Sequence, residues 1–202
     1  MPEAEAGEQV RDEFERVVSA VEEMTGLKSR WNGEVRVIQP QEQLFAPRLF
    51  TARKDWDCGL TVIYGLGAND TRWRVFIHEA LHSVSVGLNN QDSGAHRGWE
   101  EGPVEMMQRR LRPDVLARLG RTSAEATSAH MEMGWPYEPY VIALRSLVAE
   151  FMDVEEGDFL RTLLGIPLRE RKTYVFAWGR RDAADFDRFR RVYAAASGVL
   201  SR

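Results

Sequence analysis

The stretch FIHEALH, residues 76–82, sets His78 and His82 four positions apart, with Glu79 directly after the first, in a chain of 202 residues that holds four histidines. Side chains four apart on an α-helix share a face, so both imidazoles can offer a ring nitrogen to one metal ion at about 2.0–2.1 Å. Glu79 points about a quarter-turn away from that line. It is badly placed as a ligand and well placed to take a proton from a water molecule on the ion. The competing reading is a buried helix that carries two polar rings for packing. The four-residue spacing alone does not separate the two.

A two-histidine site needs a third protein ligand and leaves a fourth position for water. The segment GWEEGPVEMMQRR, residues 98–110, supplies Glu100, Glu101 and Glu105 at the start of a second expected helix. Glu101 and Glu105 are again four apart, so one can reach the ion while the other accepts a histidine N–H and fixes its tautomer. Three acids beside two histidines repel one another unless a cation sits among them. The alternative is a solvated acidic first turn, which the helix dipole favours.

HEALH, the eighteen residues 83–100, and then EGPVE at 101–105 resemble the HExxH-x18-E arrangement of the gluzincin metallopeptidases, in particular the catalytic domain of the M1 aminopeptidase family. The resemblance implies one zinc ion per chain, with His78, His82 and Glu101 as ligands and Glu79 as general base. It implies a supporting role for Glu105. Downstream, PYE at 136–138 followed by an apolar segment is similar to the family's tyrosine segment, and the matching residue is Tyr137. A phenol there can donate a hydrogen bond to the oxyanion of a tetrahedral intermediate. Tyr140 competes for that role, and Glu100 and His96 are further candidates for substrate contacts or for supporting the ligands. The likeness covers roughly residues 59–164. The preceding region, DWDCGLTVIYGLGAND at 55–70, has no glutamate–asparagine pair of the kind with which that family reads a free amino terminus. The resemblance therefore implies a hydrolytic core without aminopeptidase specificity.

These residues need elements to hold them. Val10, Phe14, Val17, Val18, Val21 and Met24 recur at helical spacing and predict an amphipathic helix that ends near Gly26. VRVIQP (35–40) and GLTVIYG (59–65) read as strands, with a third around 47–53. An unclosed sheet edge near 59–64 is where an extended substrate would pair. The HEALH helix is expected over 71–88, with Asp70 or Thr71 as N-cap and its end at Gly87. A helix follows over about 100–110, with Pro103 in its first turn, and shorter helices are expected at 113–119, 123–132, 157–164 and 182–196. The longest downstream helix is expected over 136–152. Cys58 reads as a small strand residue and His130 as peripheral. The arginine pairs at 109–110, 180–181 and 190–191 read as solvated faces. The expected architecture is α+β and zincin-like: one domain over 1–202, with a helix and small mixed sheet over 10–66, the active-site helix, and a helical lobe over 99–202.

Composition narrows the partners. Twenty-seven basic residues against 31 acidic ones give a net charge of −4, which disfavours a phosphate backbone as a ligand. One cysteine excludes an internal disulfide and suits a reducing compartment. The acidic start MPEAEAGEQVRDEFE lacks a signal peptide's basic and apolar pattern, and no apolar run reaches the length of a membrane span. The expectation is a cytoplasmic metallopeptidase acting on a peptide substrate, with no nucleic-acid or membrane partner. A zinc enzyme with a small-molecule, non-peptide substrate and a metal-free interaction or structural protein are the alternatives.

Overall fold

The computed structural model describes residues 3–39, 52–55, 57–63, 70–122 and 136–201. Within them the chain is α+β and mostly helical, with eight helices and one three-stranded mixed sheet. It divides into two compact units, Met1–Val84 with Leu111–His130 and Ser85–Arg110 with Met131–Arg202. The expected helix over 123–132, which includes His130, lies outside the described residues.

In the first unit α1 spans Glu3–Thr25 and stops where Gly26 turns to a φ of 72°, which glycine adopts without steric cost. Its apolar stripe, Phe14, Val17, Val18 and Val21, is buried as its spacing requires. The strands are β1 (Val35–Ile38), β2 (Ala52–Lys54) and β3 (Leu60–Ile63). Their order is β1-β3-β2, with β1 parallel and β2 antiparallel to β3. The expected open edge near 59–64 is thus wrong: β3 is the central strand and its backbone is paired on both sides, while β2 lies at an edge of the described sheet. Cys58 is not in a strand either. It sits in the turn before β3 with a φ of 71°, and its N–H donates to the Asp55 carbonyl at 3.0 Å. Helix α2, Asp70–Val84, packs against α1 and the sheet, and Phe14 meets Trp31 and Phe76 edge-on at 5.1 and 5.6 Å between ring centroids.

In the second unit α3 is short, Asn90–Ala95, and α4 runs from Arg97 to Arg118, so it continues into the first. This joins segments expected as two helices. Pro113 is exposed within α4, and the buried Leu111, Val115 and Leu116 around it outweigh the one hydrogen bond that proline cannot make. Pro103 is the seventh residue of the helix and not in its first turn. Helix α5 covers Glu138–Val148 with Pro139 in its first turn, α6 Glu156–Leu164, α7 Leu168–Asp182 and α8 Phe186–Leu200. The expected helix at 182–196 is therefore α8, shifted toward the C-terminus, and α7 was not anticipated. Helix α5 packs along α8. Among the described residues no helix is long and apolar enough to cross a membrane.

Candidate metal centre

Residues 73–85 are buried without a break, so α2 is covered on every side and its polar groups must find partners inside the protein. Ser83 Oγ lies 2.6 Å from the Ala80 carbonyl and 2.7 Å from Ser29 Oγ. Glu79, 8% exposed, accepts the Lys54 backbone N–H on Oε2 at 2.6 Å, which fastens its carboxylate to strand β2. His78 and His82 are 6% and 8% exposed and bring their Nε2 atoms to 3.1 Å, with the rings at 79° to each other. Two nitrogens on one tetrahedral ion are about 3.3 Å apart, from metal–nitrogen distances of about 2.0–2.1 Å. The separation of the pair is thus compatible with two ligands of one ion. With no ion between them, one ring can donate to the other, the packing role that the sequence allowed.

Glu100 and Glu101 are consecutive on α4 and face different surroundings. Glu100 is buried: its Oε2 accepts from Arg171 Nη1 and from Ser85 Oγ, both at 2.7 Å, and Arg171 Nη1 also donates to the Trp99 carbonyl at 2.8 Å. Arg171 is itself fully enclosed. This ion pair ties the first turn of α4 to α7 and to the chain that follows α2. Glu101 is only half-buried. A carboxylate oxygen of Glu101 and one ring nitrogen from each of His78 and His82 all lie within 4.8 Å of one another. Among the described residues those three side chains are the ones that could hold a metal. Two nitrogens and one carboxylate oxygen are a donor set that zinc accepts.

The other candidates are placed as follows. Glu105 is enclosed, and its Oε1 accepts Arg109 Nε at 2.9 Å, while Arg109 Nη2 reaches Glu138 Oε2 at 2.7 Å. Arg109 is therefore no part of a solvated face, contrary to the sequence reading: its side chain is 11% exposed and links α4 to the first turn of α5. The i,i+4 spacing from Glu105 to Arg109 was the available signal. Tyr137 precedes α5 and is half-buried, with its ring 6.4 Å from that of Tyr140 and near-parallel to it at 20°. Arg97, which sequence reasoning passed over, lies 3.9 Å from Glu101 and 5.9 Å above the Tyr137 ring. His96 closes α3 through its backbone N–H to Asp92, outside the three-residue cluster.

Comparison of the chain with protein-family models, with curated proteins and with solved structures gives no match.

Proposed function

We infer that this protein is a gluzincin-like zinc hydrolase that cleaves peptide bonds. The observation that carries this reading is the approach of the His78 and His82 Nε2 atoms to 3.1 Å, with Glu79 between them in sequence and a Glu101 oxygen within 4.8 Å of a ring nitrogen of each. The HExxH-x18-E spacing supports it independently. His78, His82 and Glu101 would hold the ion. When bound, zinc supplies a Lewis acid that polarises the scissile carbonyl and makes a water molecule a competent nucleophile near neutral pH.

The chain's own groups do the rest. Glu79 takes the proton of the attacking water and returns it to the departing amine, and the Lys54 N–H holds its carboxylate in one orientation for both transfers. Tyr137 donates its hydroxyl to the developing oxyanion, an interaction that strengthens as charge builds up.

The test is hydrolysis of a mixed pool of internally quenched fluorescent peptides by wild type and by Glu79→Gln. The substitution keeps the shape and removes the proton acceptor, so turnover should fall about 10²–10⁴-fold with zinc content unchanged. A rate within about threefold of wild type at equal zinc content would remove Glu79 from this role.

A further inference from the structure

We propose that Asp55 and Thr61 are positioning residues for the general base: they pin strand β2 so that the Lys54 N–H points at the Glu79 carboxylate. This rests on the reading of Glu79 as that base, and every group involved lies in the first unit. Backbone N–H groups alternate in direction along an antiparallel strand. The Asp55 N–H donates across the ladder to the Gly59 carbonyl at 2.8 Å. Lys54, one residue earlier and opposite Leu60, turns its own N–H the other way, to Glu79 Oε2 at 2.6 Å. A rotation of β2 about its own axis would carry that N–H off the carboxylate.

Strand β2 has only three residues, and so short a ladder leaves its orientation to cross-strand side chains. Arg53, Asp55 and Thr61 share one face of the sheet, because residues two apart on a strand do so and Thr61 lies opposite Arg53. There the Asp55 carboxylate accepts Thr61 Oγ1 on Oδ2 and Arg53 Nε on Oδ1, the latter at 2.9 Å. Thr61 is buried and the Asp55 side chain is 19% exposed, so water competes little for their contact. Hydrogen bonds to a carboxylate are about twice as strong as neutral ones. Arg53 and Asp55 flank Lys54, so this one carboxylate fixes the strand on both sides of the N–H that Glu79 receives.

The experiment is amide hydrogen exchange of the full chain, as purified and zinc-free in parallel, followed by NMR in wild type, Thr61→Val and Thr61→Ser. Valine keeps the shape and strand preference of threonine but donates no hydrogen bond, whereas serine keeps the hydroxyl. In Thr61→Val the Lys54 amide should exchange about 10-fold or more faster, with the Leu60 and Phe76 amides unchanged, and Thr61→Ser should restore most of the protection. Protection of Lys54 that survives Thr61→Val overturns the positioning role. So does its loss together with that of Leu60 and Phe76, because the pair would then only hold the sheet together. Steady-state kinetics on the quenched peptides at equal zinc content give the second readout: in Thr61→Val kcat should fall about 10-fold or more with KM unchanged. An unchanged kcat also overturns the role. Glu79→Gln judges the base itself, and its failure is told apart from that of the pair, whose exchange test needs neither zinc nor substrate.

Discussion

Tyr137 and Tyr140 are three residues apart, and sequence periodicity gives no reason to prefer one as the oxyanion donor. Their surroundings differ. Tyr140 is the packing residue, seated over Gly98 and Gly102, whereas Tyr137 lies outside the helix proper and faces Arg97. Tyr137→Phe should keep fold and zinc while kcat falls by about 10-fold or more, because a hydrogen bond made chiefly in the transition state is lost. Tyr140→Phe retains the packed ring and should leave kcat nearly unchanged. Steady-state kinetics of the two variants on one peptide decide the ranking, and the reverse order would move the role to Tyr140. At single residues the four-residue spacing gave the shared helix face of His78 and His82, whose Nε2 atoms lie 3.1 Å apart. They were hidden where the partner comes from far along the chain: Glu100 is settled by Arg171, and Glu105 is joined through Arg109 to Glu138.

At the scale of elements, α4 carries Glu101 between two glycines that let it approach its neighbours closely. A Cβ at Gly98 would stand 2.7 Å from the Leu200 Cα, backbone that cannot step aside, whereas one at Gly102 would meet the flexible end of Leu144 at 2.6 Å. Gly98→Ala should therefore destabilise by about 1–3 kcal/mol through overpacking. In Gly102→Ala, repacking of Leu144 is offset by the gain of about 1 kcal/mol in helix propensity. Urea denaturation of both variants checks the order, and equal stabilities would contradict the close approach at Gly98. The sequence showed α1, β1, β3, α2, α5 and α6 to within a few residues because each has an apolar pattern of clear period. It failed at α7 for a physical reason: the buried stripe is only Leu168, Arg171, Val175 and Gly179, so a charged residue and a glycine occupy two of the inward positions and mask the period. It also split α4 at Pro113, where burial on both sides overrides the local breaker. The order of the strands depends on pairing that no local pattern encodes, and the expected edge was misplaced for that reason.

For the molecule as a whole, the net charge of −4 weighs against a polyanion as the ligand. A ligand that binds only the folded chain stabilises it, by about 2.7 kcal/mol when its free concentration is 100 times its Kd. Zinc at that level should therefore raise Tm, and a chelator should return it to the metal-free value. A Tm indifferent to both would speak against a site formed by the native fold. The choice between a zinc site formed by two buried histidines and a glutamate and a packing motif turns on metal content. It is tested most directly by elemental analysis of protein purified without added metal. About one zinc per chain is expected in wild type and almost none in His78→Ala or His82→Ala, since each removes a ligand of the ion. Zinc absent from folded wild-type protein, or retained at the same level in both variants, would contradict it.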